Sequence, residues 1–202
     1  MTTVAELPAG LADKVLSAQS TFRSVMDAMA RPGTVQRIVA AAGAPAAMMR
    51  GTAAIARTLF DHDTPVCLDP GMAATSDVAK WLKFHTGAPV VADSSICSFA
   101  LIGDGGELPP LDCFSFGTDE YPDRSTTLIL QVESLTEGAT FDLSGPGIDG
   151  TAVLQATIKP RDLFERLAIN AALFPRGIDL VLVADDAIVA IPRSTRLIAK
   201  GD

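Results

Sequence analysis

Gly145-Pro146-Gly147-Ile148-Asp149-Gly150 has the G-x-G-x-x-G spacing. Between a strand and a helix, that spacing lets backbone N–H groups approach a pyrophosphate. Here the following residues, Thr151-Ala152-Val153-Leu154, read as a strand, and Pro146 has no N–H to offer a phosphate. The hexapeptide is therefore expected to be a turn joining two strands. Asp61-His62-Asp63 sets an imidazole between two carboxylates, a combination suited to a base or to a corner of a metal site. Sequence neighbours rarely converge on one ligand, so neither role is assigned. His85 lies three or four residues beyond Trp81 and Leu82, on the apolar stripe of a predicted helix. It reads as a hydrogen-bonded core histidine. With two His and three dispersed Cys, a catalytic metal would need several carboxylate ligands, and no spacing supplies them.

Nucleophiles are equally sparse. The chain has no G-x-S-x-G elbow and no G-x-x-x-x-G-K-[ST] phosphate loop. None of the five lysines (Lys14, Lys80, Lys83, Lys159 and Lys200) clearly sits at the end of a core strand, where an imine-forming lysine would be held and desolvated. Asp179 enters an apolar strand and Arg193 leaves one. A buried carboxylate needs a charged or N–H partner, so the two are expected to pair or to tie down neighbouring loops; contact with a ligand or partner is the other reading. No catalytic residue, metal or cofactor is expected.

The elements that would position these residues follow from periodicity. Leu11, Val15, Ala18, Phe22, Val25, Met26 and Met29 recur every three or four residues, predicting an amphipathic helix that Pro32-Gly33 stops. Thr34 to Ala40 reads as a short strand. Pro45 is expected to open a helix reaching Phe60, and Pro65 to Leu68 to form a buried strand. Ser76 and Asp77 can cap a third helix that Gly87 ends. Val90–Ala92 and Ser98–Ile102 read as strands. Residues 103–124, rich in Gly, Pro and Asp, read as a long surface loop with a helical turn near Leu111. Thr126–Val132 is almost continuously apolar, as suits a strand buried on both faces. Ala139–Leu143 and Thr151–Ile158 are further strands. Pro160 opens a helix ending near Phe174, and Asp179–Val183, Ala187–Ile191 and Arg196–Ala199 close the chain. Helices alternate with strands early and strands cluster late. This predicts a single α/β domain over residues 1–202, a three-layer α/β/α sandwich on a mixed sheet.

Composition bounds the function. The 202 residues carry a net charge of −8. Residues 1–57 hold six basic and three acidic side chains, whereas the rest hold ten basic and twenty-one acidic. The acidic bulk argues against nucleic acid. The basic first third is either a solvated helix face or a surface for an acidic protein or polyphosphate. Apolar residues make up 48% of the chain, enough that a partner could cover part of the surface. Cys67, Cys97 and Cys113 form no C-x-x-C and are expected to be reduced, buried thiols of a cytoplasmic protein. No signal peptide or bilayer-spanning run is read.

An ordered set of segments resembles the H-subunit family of the bacterial carbon–phosphorus lyase systems, which degrade phosphonates. The set comprises Phe22-Arg23, Met29 through Pro32-Gly33, Asp61 with Asp63-Thr64-Pro65-Val66, Phe84-His85-Thr86, Ala88-Pro89 and Gly117-Thr118. It continues with Thr127 through Val132, Leu143 with Gly145 and Gly147-Ile148, Phe174-Pro175, Gly177 through Leu180 and Ala190-Ile191-Pro192-Arg193. The resemblance implies a fold like the large domain of pyridoxal phosphate-dependent transferases, without the cofactor or its lysine. It implies a homodimer when isolated and a place beside the G, I and J subunits of the lyase core. That assembly turns ATP and an alkylphosphonate into a ribose 1-alkylphosphonate 5-triphosphate. A structural, assembling role and a nucleotide- or phosphonate-binding role are both compatible with it. Arg23, Asp61, His85, Asp179 and Arg193 are the residues to locate in the structure.

Overall fold

The computed structural model describes residues 9–103, 108–160 and 162–199. Helix α1 (Ala9–Ala30) opens the chain. Thr21, Val25 and Ala28, spaced by four and three, turn inward and are buried. The predicted stripe is therefore rotated: Val15, Phe22 and Met26 stay exposed while Thr21 takes an inward place. Its stop falls as expected. Gly33 adopts a φ of +82° after Pro32, and its N–H donates to the Ala190 carbonyl.

The remaining elements are β1 (Gln36–Arg37), α2 (Arg50–Leu59), β2 (Val66–Leu68), α3 (Pro70–Ala73), α4 (Ser76–His85), β3 (Phe99–Ile102), β4 (Thr127–Gln131), β5 (Ser134–Ser144), β6 (Ala152–Thr157), α5 (Leu163–Ala171), β7 (Asp179–Ala184), β8 (Ala187–Ile191) and β9 (Arg196–Ala199). Six strands form one sheet in the order β1-β8-β7-β4-β3-β2. The run β7-β4-β3-β2 is parallel; β8 pairs antiparallel with β7, and β1 antiparallel with β8.

Strand alternation sorts the core into two halves. Leu101, Ile129, Val181, Val183 and Ile188 face α1, α2 and α4. Ala100, Leu128, Leu130, Leu180, Leu182 and Val189 face the opposite layer. Leu128, Ile129 and Leu130 all have no accessible surface, and each such burial contributes about 2 kcal/mol.

The second cover differs from the predicted all-helical layer. Helix α5 shares it with a three-stranded antiparallel sheet, β6-β5-β9. The cause is alternation: Phe141 and Leu143 on β5 and Leu154 and Ala156 on β6 point inward, so a hairpin buries its apolar face as a helix would. Phe141 stacks on Phe164 of α5, with ring centroids 3.6 Å apart. The fold is thus a mixed α/β architecture with helices on one face and a composite layer on the other.

Four local expectations are corrected. The 34–40 strand shrinks to two paired residues. Val90 makes only an isolated bridge to Val66. Helix α2 begins at Arg50, not at Pro45, because Met48 closes a turn onto the Pro45 carbonyl and the Gln131 side chain claims the next polar groups. At α4 the N-cap is Thr75, with no side-chain cap bond, and Asp77 sits in the first turn. The helical turn near Leu111 is present as a short 3₁₀ segment at Leu111–Cys113. Residues 104–107 of that predicted loop, and Lys200, lie outside the described residues. No described helix is long and apolar enough to cross a membrane.

Candidate functional site

In parallel α/β sheets, ligands gather at the carboxyl ends of the strands, where helix N-termini offer free N–H groups. That edge carries Asp69 after β2, Gly103 after β3 and Gln131 at the end of β4. A cleft of about 290 Å³ opens there, lined by Met49, Gly103, Gln131, Glu133, Thr157 and Lys159 among others. The Met49, Gly51 and Gly103 N–H groups there are already bound by the chain itself. Gln131 Oε1 accepts the Met49 N–H at 2.6 Å, and Gln131 Nε2 donates to the Ala47 carbonyl at 3.1 Å. The Gly51 N–H at the start of α2 donates to the Asp185 carbonyl. Asp69 is 2% exposed; it accepts from Met72 N at 2.7 Å and from Gly103 N at 2.8 Å. The two helix starts that could have cradled an anion are filled by one amide and one carboxylate side chain.

The opposite edge holds the pair expected from the sequence. Asp179 opens β7 and Arg193 follows β8, and each side chain is 14% exposed. The carboxylate takes the Arg193 N–H at 2.8 Å and its Nε–H at 3.1 Å on one oxygen, and Nη2–H on the other. Arg193 also donates to the Pro122 carbonyl through Nη1 and to Ser125 Oγ at 2.6 Å through Nη2. A planar guanidinium can satisfy such divergent acceptors at once. This is a clamp that fixes the Pro122–Arg124 turn against the sheet.

The other candidates lie apart from that clamp. Asp61 is exposed in a turn after α2, where its carboxylate accepts from Thr64 Oγ1 at 2.7 Å and from Asp63 N at 3.0 Å. The Thr64 hydroxyl and then the Asp63 N–H hold Asp61 below the usual carboxylate range. His62 pairs with Asp63 instead, at 3.2 Å in the open. His85 is exposed, contrary to the expected core position. Val78, Trp81 and Leu82 use up the inward face of α4, and the His85 ring packs tilted against the Trp81 ring, centroids 4.4 Å apart. Arg23 is exposed on α1. It borders a groove that shares Ala18 and Thr58 with a second groove bordered by His85 and Arg57.

Two of the three thiols are buried as expected; Cys113 is exposed instead, carried outward on its 3₁₀ turn. Burial pushes the Cys67 thiol up to about 12, with neighbouring Cys97 adding to the rise. Burial likewise raises Cys97. Among the described residues, no group of three or more His, Cys, Asp and Glu could hold a metal ion.

Sequence reasoning missed Gln131, Asp69 and Asn170. Each had a signal. Gln131 is the one polar side chain closing an apolar run, and Asp69 precedes Pro70, as an N-cap precedes a first-turn proline. Asn170 is a short amide inside an apolar helix; its side chain bonds both the N–H and the carbonyl of Ile178.

Comparison with known proteins now adds to this geometry. Residues 9–198 match the family described as "Bacterial phosphonate metabolism protein (PhnH)". The chain is 45% identical over 198 residues to the "Alpha-D-ribose 1-methylphosphonate 5-triphosphate synthase subunit PhnH" of Rhizobium meliloti (strain 1021), covering 98% of each. It is 31% identical over 208 residues to the "Putative C-P lyase subunit protein HtxG" of Stutzerimonas stutzeri, covering 99% of this chain and 97% of that one. The chain belongs to the PhnH family of bacterial phosphonate metabolism proteins.

Proposed function

We propose that this chain is a cytoplasmic, single-domain subunit of a carbon–phosphorus lyase complex, and that it contributes structure to that complex and no reacting group. In this reading it forms a homodimer when isolated. It joins the G, I and J subunits in the assembly that makes a ribose 1-alkylphosphonate 5-triphosphate from ATP and an alkylphosphonate. The names of its two relatives, a synthase subunit and a C–P lyase subunit, support the setting. The likeness to the large domain of pyridoxal phosphate enzymes belongs to the same reading. Its support is the parallel run β2-β3-β4-β7 closed by antiparallel β8.

One observation carries the structural role: Gln131 and Asp69 close the helix starts at the edge where this class of sheet holds anionic ligands. A nucleotide or phosphonate would find the Met49, Met72 and Gly103 N–H groups already bonded there. Titration calorimetry of the isolated chain with ATP and with methylphosphonate tests this. The expected result is no saturable heat, together with stable co-purification with the G, I and J subunits. Saturable binding of either compound would refute it.

A further inference from the structure

We infer that the outer face of α1, together with the last turn of α2, is a docking surface for a different protein chain that presents an apolar ridge flanked by carboxylates. The inference rests on the assembly reading above and names the chemistry of the partner.

The surface begins with helix geometry. Val15, Phe22 and Met26 follow one another at spacings of seven and four, which places them on one stripe. They are 43%, 50% and 52% exposed, while Thr21, Val25 and Ala28 on the other side are buried. Leu16 at 63% exposed widens the stripe, and Val39 at 54% lines the adjoining groove opposite Ser17 and Ala18 of α1. Large side chains grouped in this way on one helix face mark a contact surface more than scattered exposed residues do.

Charge then selects the occupant. Residues 1–57 contain five arginines. Arg31, Arg37 and Arg50 are paired with Asp27, Asp186 and Asp185. Arg23 and Arg57 make no ion pair among the described residues. Arg23 borders the groove beside Phe22 and Met26, and Arg57 borders the adjoining one. Arg124 and Arg196 also lack an ion pair among the described residues, but they lie elsewhere in the fold; Arg23 and Arg57 are the two that border the adjoining grooves at this face of a chain with eight more acidic than basic groups. Covering that stripe removes water from them, and a desolvated charge without a counter-charge is costly. The fitting partner brings carboxylates. A second copy of this chain does not fit: no described Asp or Glu lines either groove. Two copies pressed together here would bury guanidinium against guanidinium. Self-association of the isolated chain therefore uses other surface.

The experiment measures association of the full chain with a reconstituted complex of the G, I and J subunits by biolayer interferometry, and the mass of the isolated chain by light scattering. R23E/R57E is expected to weaken association roughly 100-fold, the order found when close interfacial charge pairs are broken. R23K/R57K should stay near wild type, and the isolated mass should be unchanged in both. Wild-type association should also weaken as salt rises. Arg23 is exposed and Arg57 half-buried, neither has a bonded partner among the described residues, and an unchanged melting temperature confirms the fold. Association of R23E/R57E equal to wild type would overturn the inference. So would loss of the isolated dimer with heteromeric association intact, since that would make the face a self-interface. If the wild-type chain itself fails to associate, the assembly reading falls, and this inference falls with it.

Discussion

Replacing Arg193 by Ala should lower stability sharply, because one side chain holds three segments. The guanidinium bonds the Asp179 carboxylate, the Pro122 carbonyl and Ser125 Oγ. Removing it leaves Asp179, 14% exposed, with the backbone N–H of residue 193. Breaking a buried ion pair on one side costs about 3–5 kcal/mol. The slight exposure and the surviving N–H place this case at the lower end, about 3 kcal/mol. In a chain of this size each kcal/mol moves the melting temperature by about 2–4 °C, so R193A should melt roughly 6–12 °C lower. Calorimetric melting tests the magnitude. Amide exchange tests the cause, with protection lost first at Arg124 and Gly117, near the turn that Arg193 pins. R193K should recover less than half of the loss, since one ammonium cannot serve a carboxylate, a carbonyl and a hydroxyl in their fixed directions. A double-mutant cycle with D179N should show coupling, because the two residues share their bonds. A melting temperature within about 2 °C of wild type for R193A would refute this account of the clamp.

Gly147 adopts a φ of +81°, and a Cβ there would lie 2.2 Å from the Ala30 carbonyl at the end of α1; G147A should cost about 2–4 kcal/mol in chemical denaturation, and a neutral result would reject the close approach. D69A leaves the Met72 and Gly103 N–H groups without their shared acceptor, which should cost about 2–3 kcal/mol by the same measurement, with a loss under about 0.5 kcal/mol counting against it. Iodoacetamide at pH 8 should label Cys113 within the native protein and leave Cys67 and Cys97 for the unfolded state; mass spectrometry reads the order, and early labelling of Cys67 would contradict its burial. Asp61, lowered by Thr64 and Asp63, stabilises its turn above its unfolded pKa, and that contribution is lost as pH falls through the folded one. An NMR titration should show its midpoint below that of T64A, and equal midpoints would remove Thr64 as the cause.

The large sheet was legible because its strands are buried on both faces, which leaves an apolar run such as Thr127–Gln131 that few other structures explain. The turn role of Gly145–Gly150 was legible for a similarly local reason: a proline and a following strand exclude a phosphate cradle. The Asp179–Arg193 pair followed from charge placed at the ends of apolar strands. What escaped depends on distance in sequence. That Gln131 ends the helix expected at Pro45 is a contact across 82 residues, and no local pattern announces it. The α1 stripe was turned because Phe22 and Val25 are equally apolar; only the buried contacts of Thr21, Val25 and Ala28 decide which side faces the sheet. His85 shows the same limit, since a place on the inward stripe at the last turn of a helix can still overhang the edge of the core.

The two closed helix starts connect these observations to function. Asp69 and Gln131 serve folding: one caps α3 and ties it to Gly103, the other stops α2 from extending toward Pro45. An anion seeking the same N–H groups must displace them. Each buried donor or acceptor released costs about 1–3 kcal/mol, and each 1.4 kcal/mol forfeits a factor of ten in affinity. Displacing one side chain would thus weaken a ligand by about one to two orders of magnitude before any new contact forms. Side chains that tie this fold together thus occupy N–H groups that an anion at this edge would use.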